Sequence, residues 1–259
     1  MSASIILWQK QMKKTLVHSE EIVGMLIQPI LWVVLFGVGM RSLMGAVGPG
    51  DGDGYMTFIL PGIVALTAVG GAIGGGSTWL NERVTGIVKE YLVAPIPRLS
   101  ILMGNALSIT SKVLIQSIII MIVGVLMGAN LSADPLGWLG GFLLISGYGI
   151  GFSGIALAVA SKTDSSAGYH MMIFMLQLPL LFWSNSLYPL ATLPTWMRVG
   201  AMFNPTTYVV TGLRIIMMAP AADVADVDNI AIWICFVVIA AFAAIGMGVA
   251  LRAFKSAIK

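Results

Sequence analysis

The sequence predicts an all-α polytopic membrane protein: six transmembrane helices, an N-terminal amphipathic interfacial helix, and short broken helices ahead of the last span. Three observations lead there. Of the 259 residues 58% are hydrophobic and 10% charged, where soluble domains run about 45–50% and about 25%. Fourteen basic and 11 acidic side chains could not cover the surface of a soluble fold this large, which excludes a soluble enzyme. Apolar runs of the roughly 20 residues needed to cross a bilayer recur along the chain. Finally, Lys and Arg gather in alternate connecting segments.

The elements follow in order. Within residues 1–21, Ile5, Trp8, Met12 and Leu16 recur every three or four positions, while Gln9, Lys10, Lys13 and Lys14 take the other side. That is a basic amphipathic helix lying along the membrane surface with Trp8 at headgroup depth, serving either as a topogenic anchor or as a docking surface. The spans are Ile22–Met44, Tyr55–Leu80, Ile101–Met127, Gly137–Ala160, Tyr169–Tyr188 and Ile230–Leu251. They form a transmembrane domain over residues 22–252, followed by a tail at 253–259. The first run is too long, and too far from the start, for a signal peptide, and no cleavage pattern follows it. Thirty glycines suit close helix packing, with Gly70/Gly74, Gly71/Gly75, Gly124/Gly128 and Gly147/Gly151 at one-turn spacing.

Charge sets the orientation. Lys10, Lys13, Lys14, Arg83, Lys89, Arg98, Lys112, Lys162, Arg252, Lys255 and Lys259 fall in one set of segments. Arg41, Arg198 and Arg214 fall in the other, beside Asp51, Asp53, Asp134, Asp223, Asp226 and Asp228. The expectation is a multi-pass protein of the cell membrane with both termini in the cytoplasm, which an even number of spans also requires.

Two connecting segments stand out. Asn81–Ser100 mixes charges with Val84, Ile87, Val88 and Leu92, which share one helical face until Pro95 and Pro97 stop the helix. A short amphipathic helix there suits contact with a soluble subunit. On the opposite side, Leu187–Asn229 begins with three prolines and many large apolar residues. Short broken helices that dip into the outer leaflet or cover a cavity satisfy both features, and Ala219–Asn229 reads as an acidic exposed connector. Gly48–Gly54 is a flexible turn on that side.

Some chemistry is missing. The cluster Gly70, Gly71, Gly74, Gly75, Gly76 and Ser77 lacks the Lys of a phosphate loop and sits inside a span, so it reads as helix packing. No ATPase site is expected on this chain. Carboxylates in mid-span, the usual mark of ion coupling, do not occur. Lone histidines at His18 and His170 read as structural hydrogen-bonders, and a single Cys235 leaves no metal or nucleophile constellation. Gln177, Phe182, Trp183, Ser184 and Asn185 form a polar and aromatic mixture late in the fifth span. They either line a path for an amphipathic molecule or hydrogen-bond between helices. Seventeen methionines would make any cavity adaptable.

Several motifs then occur in order: Tyr55–Gly62 (YMTFILPG), Glu82–Pro95 (ERVTGIVKEYLVAP), Leu187–Leu190, Leu193–Trp196, Asn204–Tyr208 (NPTTY) and Gly212–Arg214. With them the chain resembles, over nearly its whole length, the ABC-2 type transporter permeases, especially the branch of daunorubicin-resistance and nodulation-factor export permeases. The resemblance implies an exporter of two permease chains, identical or homologous, with two separate ATPase subunits that carry the ATP and magnesium. The chain itself is then no enzyme and needs no cofactor, and no nucleic acid is involved. It also implies a coupling loop in which Glu82, Arg83, Gly86, Lys89 and Glu90 contact the ATPase, although Lys89 departs from the acidic or neutral residue frequent there. The broken segment becomes an extracellular gate formed by Pro189, Pro194, Trp196, Asn204, Pro205 and Tyr208. Cargo is expected to be a hydrophobic or amphipathic molecule such as a drug, lipid or glycolipid, because the spans are mostly aliphatic and methionine. A polysaccharide exporter is the alternative, and behind it a channel or scaffold not coupled to ATP.

Overall fold

The computed structural model describes residues 3–17, 19–47, 53–88, 97–190, 193–218 and 230–257. Among them it is helical, with no strand beyond one isolated bridge between Leu131 and Met218. The helices are α1 (Ala3–Val17), α2 (Ser19–Val47), α3 (Asp53–Val84), α4 (Arg98–Leu126), α5 (Pro135–Lys162), α6 (Ser166–Phe182), α7 (Thr195–Met202), α8 (Pro205–Met217) and α9 (Ile232–Ala257). Five of them, α2 to α5 and α9, are long and apolar enough to cross a membrane, and α6 is a shorter apolar helix. This is the expected all-α polytopic architecture. Residues 48–52, Lys89, Glu90 and the acidic stretch 219–229 lie outside the described residues.

Local chemistry sets several of the boundaries. Asp134 caps α5 by accepting from Leu136 N at 3.1 Å and Gly137 N at 3.0 Å, with Pro135 fitting the first turn. Ser165 Oγ accepts from Gly168 N to start α6. Asn204 Oδ1 accepts from Thr206 N to start α8, again with proline at the first helical position. α9 continues to Ala257, through most of the segment expected to be a tail.

The fifth span departs from the sequence expectation of Tyr169–Tyr188. α6 is a 17-residue helix that contains Pro179 and ends at Phe182. Residues 183–190 then fold back as a compact irregular turn in which Ser184, Asn185 and Ser186 are fully buried. Backbone outside a helix survives at such depth only where protein groups satisfy it. Asn204 Nδ2 does this by donating to Leu180 O at 2.9 Å and Trp183 O at 2.7 Å, carbonyls at the end of α6.

α3 and α5 form the centre. Of the α3 span 72% is buried, against 17% of the α2 window, so α2 turns most of its surface outward. Tyr148, Phe152 and Phe242 make a ring cluster with centroids 4.8, 5.0 and 6.0 Å apart, joining α5 to α9. Here the backbones nearly touch. A Cβ at Gly246 would lie 2.2 Å from Gly151 O, and one at Gly154 would lie 2.3 Å from the Gly246 carbonyl. Gly248 on the same helix faces open space. Gly246→Ala should therefore lower the thermal unfolding temperature of the purified chain, by roughly 1–3 kcal/mol of stability. Gly248→Ala should leave it unchanged or slightly raised. Equal behaviour of the two variants in a thermal-shift assay would contradict this packing.

Candidate functional site

The bundle has a basic end, where α1, the end of α3, the start of α4 and the α5–α6 turn meet. α1 packs on α4: Leu7 sits against Gly104, and Trp8 Nε1 donates to Ser111 Oγ at 2.9 Å. The stripe it buries against the protein is Leu7, Gln11 and Thr15, beside the apolar line of Ile5, Trp8, Met12 and Leu16 that the sequence assigns to the membrane surface. Ile5 and Leu16 point outward, and polar Gln11 is buried because Glu82 pays for it: Gln11 Nε2 donates to Glu82 Oε1 at 2.8 Å. Glu82 is itself only 5% exposed, and its second oxygen has no hydrogen-bond partner.

Arg83, the next residue, reaches the other way. Its guanidinium donates to the carbonyls of Ser161 and Thr163 and pairs with Asp164 Oδ1 at 2.7 Å. A cation on carbonyls at a helix C-terminus is favoured by the helix dipole as well as by the hydrogen bonds. Glu82 and Arg83 are thus turned into the protein, one braced against α1 and the other against the α5–α6 turn. α3 ends here. Thr85 and Gly86 form a turn, with Gly86 at φ +85°, a conformation that favours glycine. Val84 is 63% exposed and Val88 is buried, so the expected single apolar face through Val84, Ile87 and Val88 does not form. Leu92 lies outside the described residues.

The far end is tied by another arginine. Arg214 of α8 donates to Phe58 O through Nε (3.2 Å) and Nη2 (3.1 Å), and Nη2 also donates to Asn185 O at 2.7 Å. The guanidinium lies 3.8 Å from the Phe58 ring centroid. Asn185 Nδ2 donates to Thr211 Oγ1 at 2.7 Å, and Ser184 Oγ to Ser186 Oγ at 2.8 Å. The turn can come this close because Gly62 has no side chain; a Cβ there would lie 2.2 Å from Ser186 O. On the outer surface, Tyr208 OH donates to Met202 O, Tyr188 OH to Phe182 O, and Arg198 Nε to Leu190 O.

Between the two ends, α2, α3, α4 and α6 line a half-open cavity of about 430 Å³. Trp32, Thr67, Gly70, Gly74, Gln116 and Gln177 are among its walls. The glycine cluster divides here. Gly71 packs against Gln116 and Val113, Gly75 against Ile109, and Gly76 against Tyr169 and Ala156, while Gly70 and Gly74 have nothing within 4 Å of a Cβ. Helix packing thus accounts for three of the glycines. The other two open onto the cavity.

The residues singled out from sequence separate accordingly. Glu82, Arg83 and Gly86 meet at the basic end. Asn204 is buried as a cap and carbonyl clamp; Pro205 and Tyr208 are half-buried on the same helix. Pro189 is half-buried in the turn, and Pro194 is exposed ahead of α7. Trp196 is 66% exposed, with its ring edge-on to Trp183 at 6.4 Å. Of the four path residues, Gln177 alone lines the cavity. Phe182 and Trp183 lie exposed at the far end, and Asn185 is fully buried in hydrogen bonds. His170 stands 3.4 Å from Ser77 Oγ. Gln11, Gln116 and Arg214 carry as much of the arrangement, and sequence reasoning had no signal for their partners.

Asn204→Ala removes a helix cap and two carbonyl contacts, so it should destabilise the purified chain by about 1–3 kcal/mol in thermal unfolding. Trp196→Ala, at an exposed position, should cost much less.

The family model described as ABC-2 type transporter matches residues 3–218. A ycf38 protein of Cyanophora paradoxa is 32% identical over 193 residues, covering 73% of this chain and 65% of that protein. The daunorubicin resistance ABC transporter permease protein DrrB1 of Streptomyces coeruleorubidus is 24% identical, over 78% of this chain and 70% of that protein. The inner membrane transport permease YadH of Escherichia coli is 23% identical, over 73% of each. The match thus spans slightly under two thirds of the length of the ycf38 relative. With a family model covering most of its length on a bundle of apolar helices, the chain belongs to the ABC-2 type transporter family.

Proposed function

We propose that this chain is the permease subunit of an ABC exporter that moves a hydrophobic or amphipathic molecule, such as a drug, lipid or glycolipid, out of the cytoplasm or inner leaflet. Energy comes from ATP hydrolysed, with magnesium, on a separate ATPase subunit present in two copies. A second permease chain, identical or homologous, completes the path in the cell membrane. The basic end faces the cytoplasm, in keeping with the charge asymmetry. The observation that carries this reading is the end of α3, where adjacent side chains hold α1 on one side and the α5–α6 turn on the other. The relative named for daunorubicin resistance adds support for apolar cargo.

In this reading Glu82 and Arg83 transmit force rather than touch the ATPase. Contact falls to Val84, Thr85 and the residues that follow. A push from the ATPase on the Gly86 turn moves α3 together with α1 and the α5–α6 turn, because each bond at the basic end resists separation. ATP binding then shifts the pair of permeases between two arrangements as rigid bodies. The far end, where α7, α8 and the turn at 183–190 lie over the bundle, serves as the exit gate.

A mild-detergent pull-down of the tagged chain, followed by ATP-driven transport in vesicles, tests this. Val84→Asp should reduce recovery of the ATPase subunit. Arg83→Ala should retain that subunit yet lose roughly tenfold or more in transport, the weight of charged hydrogen bonds worth about 1.5–3 kcal/mol. Wild-type transport in Arg83→Ala would sink the bracing role. Recovery of the chain without any ATPase, across several gentle detergents, would sink the exporter itself.

A further inference from the structure

We propose that the cleft at the basic end between α5, α6 and α9 is a binding site for one anionic phospholipid. Its phosphate sits between Lys162 and Arg252, and an acyl chain runs down the apolar side of α9 from Val249. The inference goes beyond the export reading and does not depend on it. The cleft has a volume of about 510 Å³ and takes its walls from all three helices. Its register follows from the packing of α5 on α9. A Cβ at Gly147 would meet Ile239, one at Gly151 would meet Phe242, and one at Gly154 would meet Gly246. The two helices thus run side by side in the same direction. Lys162 comes eight residues after Gly154, and Arg252 comes six residues after Gly246. The helical rise carries them about 12 Å and about 9 Å beyond that contact. Two cations from different helices therefore stand at nearly one level and line one cleft, beside the small buried side chains of Ala158 and Ala253.

Both cations are unspent. Among the described residues neither has an ion pair or a side-chain hydrogen bond. Asp164, the carboxylate nearest in sequence to Lys162, pairs with Arg83 at 2.7 Å, and no lining residue is acidic. A single cation at a helix end reaches whatever headgroup passes by. Two that share a cleft between helices offer a phosphate a fixed seat. The apolar half of the site is also in place. Val249 lies three residues before Arg252 and Ile245 seven before it, so they share its helix face, and both are exposed. That strip descends about 10 Å along the span. Val159 and Met172 line the cleft beside Val249. Only 22% of the α9 span is buried, so the strip opens toward the bilayer. A free anion or an acidic soluble segment has no use for such a strip, whereas a phospholipid uses both halves.

The full chain, delipidated in mild detergent, is titrated with dioleoylphosphatidylglycerol, and bound lipid is counted by native mass spectrometry. One phosphatidylglycerol should bind each chain ahead of all others and ahead of dioleoylphosphatidylcholine. Lys162→Gln and Arg252→Gln should each weaken that first site about fivefold, the weight of one cation near an anionic headgroup, and the double variant about thirtyfold. Lys13→Gln/Lys14→Gln, which removes the same charge from exposed positions on α1, should bind as wild type does. Glycerophosphoglycerol, the headgroup without its chains, should not displace the lipid. Phosphatidylglycerol should also raise the thermal unfolding temperature of the wild type and leave that of the cleft double variant unmoved. The proposal is overturned if phosphatidylcholine binds equally well, or if the α1 pair weakens binding as much as the cleft pair. It is overturned too if the chain-free headgroup displaces the lipid, which marks a plain anion site. Wild-type lipid binding by the cleft double variant also sinks it and leaves the two cations to an acidic segment of a soluble partner. No ATPase or transport enters the assay, so its failure leaves the export reading standing, and failure of that reading leaves this result intact.

Discussion

Arg214 is the side chain on which the far half of the molecule depends. It is 7% exposed and spends its donors on carbonyls of two segments distant in sequence, Phe58 of α3 and Asn185 of the buried turn. A buried guanidinium is tolerable only when its donors are paired, and breaking such a set leaves an uncompensated charge. The seat for that pairing is made by Pro61 and Gly62. Pro61 lacks the N–H that would bond the carbonyl of Thr57 one turn back, next to Phe58. Glycine then lets the backbone of Ser186 approach. The same few atoms thus explain why irregular backbone is stable at depth and why α8 is drawn against α3.

An equivalent device works at the opposite end. Arg83, like Arg214, binds carbonyls rather than relying on one ion pair. Its partner Asp164 is almost wholly exposed, at 97%, and an exposed pair of that kind adds little by itself. The carbonyls of Ser161 and Thr163 do most of the holding. With Glu82 gripping Gln11 from the neighbouring position, α3 is fastened at its basic end to α1 and to the α5–α6 turn, and at its far end to α8 and the turn at 183–190. A long helix clamped at both ends is suited to carrying a displacement from one face of a membrane to the other.

The cavity follows from what those clamps leave alone. α5 and α8 pack on the opposite side of α3, and α9 packs on α5 with backbones in contact at Gly151, Gly154 and Gly246. α2 and α6 are held more loosely, and their large side chains, among them Leu35, Val38, Met171 and Phe174, face outward. Space opens where the loosely held helices pass the glycine floor of α3.

The sequence by itself determined that this is a helical membrane protein, roughly where its helices run, and which motifs mark its ends. Hydropathy and proline act locally, so a reader of the chain has all the information that fixes them. It also showed that the segment after the fifth run had to be broken helix, since three prolines and many apolar residues admit little else. What only the tertiary structure decided is which side chains face which. Glu82 and Arg83 read as charges offered to an ATPase subunit because nothing adjacent in the chain predicts Gln11 or Ser161 as partners. Asn185 and Gln177, neighbours on one apolar run, part company because the helix ends between them, and a clamp from Asn204 brings that end about. Gly70 and Gly71 differ only in direction, one toward a packed helix and one toward empty space. Direction is a property of the assembled bundle: it depends on where the other helices have come to rest, and no single stretch of sequence records that.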